Sequence, residues 1–302
     1  MAILKTNNLM KKYKDFLALD DVSITVDEGD VYGLIGRNGA GKTTLFKLIM
    51  GLTKPTAGTL SIGAYKPLRQ GRKTIGFMIG PAFFSYLNPY ENIEYYRKLK
   101  GIKSKSETNR VLNLVGLHDV KKPFKSFSMG MKQRLGIANA LLGKPDIVIL
   151  DEPINGLDPQ GITDIRNMIK RINQELGTTF IISSHILSEL DLVATKFGFI
   201  EKGQLLQEIS HGNLHKQVST SLIIEIDHVK KAVDVLMCEL NISTHHIEVD
   251  ADGQIRLQTH LNQSNEVSKI LVENGISLYT IKKEETTLEQ YFMGLVGGVG
   301  HA

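Results

Sequence analysis

The chain has very little cysteine: Cys238 is the single one in 302 residues. No internal disulfide can form and no cysteine metal cluster can be built, which fits a reducing compartment. Cys238 itself reads as a small core thiol. Long apolar runs are also missing; none approaches the roughly 18 residues of a membrane-spanning helix, and Met1 to Tyr13 lacks the apolar segment of a signal peptide. The expectation is a cytoplasmic chain without a span of its own. Internal repeats and low-complexity tracts are absent as well. So is a basic C-terminal arm: residues 1–208 carry 29 Lys+Arg against 20 Asp+Glu, whereas residues 209–302 carry 7 against 12. The net charge of +4 therefore divides into +9 and −5, and no nucleic-acid partner is expected.

What remains is an ordinary globular composition, 42% hydrophobic and 23% charged, able to bury a sizeable core. At roughly 100–200 residues per domain, the length predicts two. Residues 3–35 read as short β segments, and the last, Val31 to Ile35, leads straight into glycines. Leu45, Leu48 and Ile49 recur at helical spacing in Lys42 to Met50, with Gly51 as the stop. Helices are predicted over Tyr90 to Gly101, Ser106 to Gly116, Met131 to Gly143 and Gly161 to Gly177, and buried strands over Ile147 to Leu150 and Thr178 to Ser183. This alternation predicts an α/β domain with a largely parallel sheet over 1–208, with a helical part at about 85–143. Residues 209–302 follow a β-α-β-β-α-β order that suits a small ferredoxin-like α+β module. His246 to Val249 reads as a strand; if His245 and His246 both lie on it they point to opposite faces, which argues against joint metal binding, and a solvated pair is expected.

Gly36-Arg37-Asn38-Gly39-Ala40-Gly41-Lys42-Thr43 matches G-x-x-x-x-G-K-[ST] between a strand and a helix. Glycines let the backbone wrap phosphate, and the helix N-terminus offers unpaired N–H donors and a favourable dipole. Lys42 would reach the β and γ phosphates and the Thr43 hydroxyl would sit on Mg²⁺, with Thr44 completing the loop's ATP contacts. The carboxylate this chemistry needs, at the end of a buried strand, is Asp151, which would hold Mg²⁺ through water. Glu152, the next residue, is placed to polarise an attacking water.

Further motifs narrow the class. Phe127-Ser128-Met129-Gly130-Met131-Lys132-Gln133-Arg134 begins a predicted helix, with Ser128 as a cap and Gly130 permitting close approach of an anion. Ser128 lies 23 residues before Asp151. Asn155-Gly156-Leu157-Asp158 follows the acidic pair, and His185 follows Ile181-Ile182-Ser183-Ser184. Over residues 1–208 this series resembles the ATP-binding subunits of ABC transporters: a signature segment, a D-loop with Asp158, a switch histidine in His185 that contacts the γ-phosphate, and in Tyr13 the aromatic that stacks on adenine. The resemblance implies a P-loop NTPase fold of ABC type, ATP and Mg²⁺ as cofactors, and a head-to-tail dimer in which Ser128 and Gly130 serve the other copy's site. It also implies a separate membrane permease, which would hold the chain peripherally at the inner face of the membrane.

One motif departs from the family. Where a glutamine or glutamate normally contacts Mg²⁺ and water, this chain has Ile75-Gly76-Phe77-Met78-Ile79-Gly80-Pro81-Ala82-Phe83-Phe84: either Gly80 occupies that place or one residue is missing before it. A glycine supplies no ligand, so weakened coupling with retained hydrolysis is expected. Phe83 and Phe84 are candidates for receiving the permease. This stretch, the Ser-Met-Gly-Met-Lys-Gln signature and Thr287-Leu288-Glu289-Gln290-Tyr291-Phe292 most resemble the bacitracin or lantibiotic self-protection branch, which implies an ATPase driving efflux of a peptide antibiotic. The alternative is a soluble ABC-type ATP switch or regulator with weak hydrolysis.

Overall fold

The computed structural model describes residues 1–78, 83–218, 220–250, 253–285 and 287–298. It divides into two units, Met1–His211 and Gly212–Ala302.

The first unit is built on a six-stranded sheet in the order Gln204–Ser210, Lys196–Glu201, Val31–Ile35, Thr179–Ser184, Ile147–Asp151, Ile75–Met78. Neighbours are parallel except for the hairpin of the first two. Val31–Ile35 and Ile147–Leu150 are buried throughout, as expected for parallel strands covered on both faces. A second sheet is antiparallel, with Ala2–Tyr13 pairing Phe16–Val22, Thr25–Asp27 and Ala57–Ile62. Leu4, Leu9, Val26, Phe46, Ile49, Ile149 and Ile181 belong to one buried cluster that joins this sheet to the central one through the helix Lys42–Met50. That helix ends where its glycine stop was expected, Gly51 taking a left-handed φ of 75°.

Helices Pro89–Leu99, Ser106–Leu114 and Met129–Ala140 form the helical part. The third starts two residues before its predicted limit because Ser128 caps it. Gly76, in the strand packed against it, cannot be larger: a Cβ there would run into the Ala140 carbonyl oxygen.

In the second unit the four-stranded sheet runs Ile247–Val249, Ile255–Leu257, Thr220–Ile226, Leu278–Glu285, with all neighbours antiparallel. Helices Val229–Glu239 and Ser264–Glu273 each join two strands that have a third between them, and bury Ala232, Leu236, Val267 and Leu271 against Leu222, Ile224 and Leu257. Two expectations are corrected. Cys238 is exposed, because it lies off the buried Ala232–Leu236 face of its helix. Residues 244–246 form a 3₁₀ turn that precedes the strand, so strand alternation does not apply to His245 and His246. Among the described residues no helix is long and apolar enough to cross a membrane.

Candidate active site

The strand Val31–Ile35 delivers the chain into the glycine loop at the C-terminal end of the central sheet. A side chain at Gly36 would collide with the Ile200 carbonyl oxygen, and Gly41 has φ 110° with Ala18 O only 2.9 Å from where a Cβ would sit. The loop therefore closes tightly, and 37–44 line a cavity of about 360 Å³ together with Phe16, Ala18, Asp151 and Glu152. Gly36 shapes this loop without lining it; its N–H is already given to Ser184 O at 3.3 Å.

Lys42 is buried, and Nζ donates to Gly36 O at 2.6 Å and Arg37 O at 3.3 Å. Its charge is met by Glu152 Oε1 at 3.1 Å. The other Glu152 oxygen, Oε2, is 2.9 Å from His185 Nδ1. Lys42, Glu152 and His185, far apart in sequence, thus form one polar chain along the cavity edge.

Asp151 is fixed on both sides. Oδ2 accepts from Thr43 Oγ1 at 2.8 Å and Oδ1 from Ser183 Oγ at 2.7 Å. The Ser183 hydroxyl in turn accepts the Glu152 N–H at 2.9 Å. Successive strand residues point to opposite faces, yet Asp151 and Glu152 both line the cavity. Glu152 escapes the alternation by leaving the strand with φ 50°, a left-handed conformation costing a non-glycine residue about 1–2 kcal/mol.

Ser128 caps the helix Met129–Ala140, Oγ accepting from Met131 N at 3.3 Å. The space above Gly130 is open: a Cβ placed there would have Leu157 Cδ2, 3.9 Å away, as its nearest neighbour. Asp158 caps the helix Pro159–Leu176, accepting from Gly161 N at 3.1 Å. Ser128 and Asp158 are exposed, and neither they nor Gly130 lines the phosphate-loop cavity.

An ABC transporter family model matches residues 19–155. The bacitracin transport ATP-binding protein BcrA of Bacillus licheniformis is 43% identical over 301 residues, covering 98% of each chain. The lantibiotic transport ATP-binding protein SrtF of Streptococcus pyogenes is 40% identical over 228 residues, 74% of this chain and 99% of that one. Among solved structures, the ATP-binding cassette MJ0796, described as a dimer in a post-hydrolysis state with ADP and Pi, superposes with a TM-score of 0.61 at 25% identity, covering 69% of this chain and 98% of that one. The chain is an ATPase of the ABC transporter family.

Two features of this ABC cassette are not apparent from its motifs. Ser183 is one: fully buried, it holds both acidic residues, and the only signal for it was a polar pair closing an apolar strand, since a buried hydroxyl needs partners. Phe16 is the other. It lines the cavity, whereas Tyr13 does not; Tyr13 faces Phe16 across the hairpin, 41% exposed, with Lys11 Nζ 4.7 Å above its ring. Phe83 and Phe84 are half-buried among aromatics, Phe83 at 5.3 Å from Phe124 and Phe84 at 4.8 Å from Tyr95, ring centre to ring centre. Gly80 lies outside the described residues.

Proposed function

We propose that the chain is the ATP-hydrolysing subunit of an exporter that removes a peptide antibiotic or related amphipathic substrate through a separate membrane permease. The observation that carries the catalytic part is the polar chain Lys42–Glu152–His185 at the edge of the phosphate-loop cavity. The exporter part is supported by the similarity to BcrA along the whole chain and to SrtF along the first unit.

Phosphate entering the loop meets backbone N–H groups at a helix N-terminus. Lys42 then exchanges the Gly36 carbonyl and Glu152 for phosphate oxygens. That exchange releases Glu152 Oε1 to accept a proton from the attacking water, while His185 keeps the carboxylate oriented. Thr43 Oγ1 and Asp151 Oδ2 form a pair of hard oxygen donors suited to Mg²⁺. When bound, that ion supplies charge neutralisation on the β and γ phosphates.

Ser128, Gly130 and Asp158 do not line their own chain's cavity, which supports a role for them in completing that of a second copy. The dimeric MJ0796 cassette supports pairing of two copies, and the head-to-tail arrangement is part of the proposal. Phe83 and Phe84 are the proposed permease contact, and the chain works peripherally at the inner membrane face. The second unit is proposed to be an accessory ferredoxin-like module.

The test is purified turnover together with recovery from membranes. Glu152→Gln is expected to abolish ATP hydrolysis while ATP still binds, and a multi-span protein should co-purify with the tagged chain. Tight ATP binding without turnover in the unaltered chain, or an exclusively ribosome-bound pool, overturns the reading.

A further inference from the structure

We propose that the outer face of the helix Pro89–Leu99, with the loops at its two ends, rests on anionic lipid headgroups beside the permease. The charge of the first unit is concentrated here. Residues 85–143 hold eleven Lys+Arg against four Asp+Glu, a surplus of seven. The acids are mostly committed: Glu94 to Arg97 and Thr108, Glu107 to Arg110, and Glu91 to the capping box at Asn88. Asp119 is exposed but lies 2.7 Å from His118.

The surplus cations border an apolar strip. Tyr86 is 70% exposed and Leu99 70% exposed, with Tyr95 at 45% between them. Phe84 links Tyr86 to Tyr95, at ring distances of 6.0 and 4.8 Å, and Tyr95 and Leu99 share a helix face at i, i+4. At the Leu99 end stand exposed Lys103 and Lys105, with Lys98, also exposed, whose Nζ lies 3.8 Å from Glu94 Oε1. Lys100 is not one of this set, because Nζ turns onto the Asn139 carbonyl at 2.9 Å. At the Tyr86 end stand exposed Lys121, Lys122 and Lys125; they are held there because Phe124 N donates to Leu87 O and Lys125 N to Ser85 O, at 2.9 and 2.8 Å. The helix of eleven residues separates the two groups by about 16 Å.

Tyrosine and leucine flanked by six lysines is the composition of an interfacial membrane contact: the rings and the leucine enter the headgroup layer and the ammonium groups meet lipid phosphate. The strip is continuous with Phe84, so the assignment of this face to the bilayer rests on the proposed permease contact.

The test uses the purified full-length chain and vesicles of phosphatidylcholine, alone or mixed with phosphatidylglycerol. The chain should co-sediment only with the mixed vesicles, and added salt should release it. Combined Lys103→Gln, Lys105→Gln and Lys125→Gln should weaken binding by about fivefold per lysine without changing ATP hydrolysis in solution. Leu99→Ser should weaken it a few-fold with the same salt dependence. Equal binding to neutral vesicles, binding to neither, or lysine variants that bind like the unaltered chain overturns the proposal. So does loss of permease co-purification in detergent by the lysine variant with vesicle binding intact, which would assign the cations to an acidic protein surface. Failure on vesicles with a permease still co-purifying removes only the lipid contact and leaves the exporter reading standing.

Discussion

Replacing Ser183 by alanine tests whether the acidic pair is held as the geometry implies. The hydroxyl makes two hydrogen bonds at a fully buried position, donating to Asp151 Oδ1 at 2.7 Å and accepting from Glu152 N at 2.9 Å. The first is to a charged acceptor, worth about 1.5–3 kcal/mol, and loss of the second leaves a part-buried N–H without its partner, which costs about 1 kcal/mol. A combined loss of about 2.5–4 kcal/mol is expected, or roughly 5–16 °C in the thermal midpoint of a unit this size. The functional readout is the Mg²⁺ concentration for half-maximal hydrolysis. With Asp151 tethered only by Thr43 Oγ1, that concentration should rise about 10–100-fold, the usual effect of removing a group that orients a ligand. Ser183→Thr, which keeps the hydroxyl, should restore the Mg²⁺ dependence even if the added methyl lowers stability. Alanine with unchanged stability and unchanged Mg²⁺ dependence refutes the reasoning. Equal defects in the alanine and threonine variants would trace the effect to packing.

Three other expectations follow from single contacts. Phe16→Ala should weaken ATP binding about 5–50-fold, within the range for removing a base-stacking ring; if fluorescent-nucleotide titration puts the whole loss in Tyr13→Ala, the aromatic partner is Tyr13 after all. Gly76→Ala should cost about 3 kcal/mol or more in urea unfolding, because the Ala140 carbonyl oxygen is backbone and cannot step aside. The hydrogen bonds of Arg97, then of Thr108, hold the Glu94 carboxyl at about 2, below the ordinary 4.5. A depressed folded-state value means its stabilisation is complete above the ordinary value and is lost as pH falls from there toward 2. Thermal midpoints of the unaltered chain and Glu94→Gln should therefore differ at neutral pH and converge through that window; a constant difference would contradict the assignment.

The parts legible in the sequence are those set by covalent neighbours. Strand, glycine loop and helix are consecutive, so Val31 to Gly51 could be bounded closely: the apolar run, the close turn and the left-handed Gly51 each depend on residues a few places away. Buried strands at Ile147 and Thr179 were likewise visible as apolar runs of the right length. Cys238 shows where this stops. Its helix was legible, but whether the thiol faces the Ala232–Leu236 side was not, because the packing partner is a sheet assembled from distant segments.

At the site, sequence alone determined which chemistry is present: a phosphate loop, an acidic pair at a strand end, a histidine at another, and a capped helix elsewhere. Tertiary structure alone decided how these groups meet. Ser183 reaches Asp151 and Glu152 only because the strands Ile147–Asp151 and Thr179–Ser184 lie side by side in one register, Asp151 opposite Ser183. Glu152 enters the cavity only by its left-handed turn, and Phe16 replaces Tyr13 at the cavity wall through the geometry of a hairpin. Ser128 and Asp158 were legible as site candidates, but that both sit on the surface and outside their own chain's cavity is decided by the fold. The reason is physical: residue type and local spacing specify donors, acceptors and periodicity, whereas distances of a few ångströms between remote side chains depend on sheet register and packing, which no local pattern encodes.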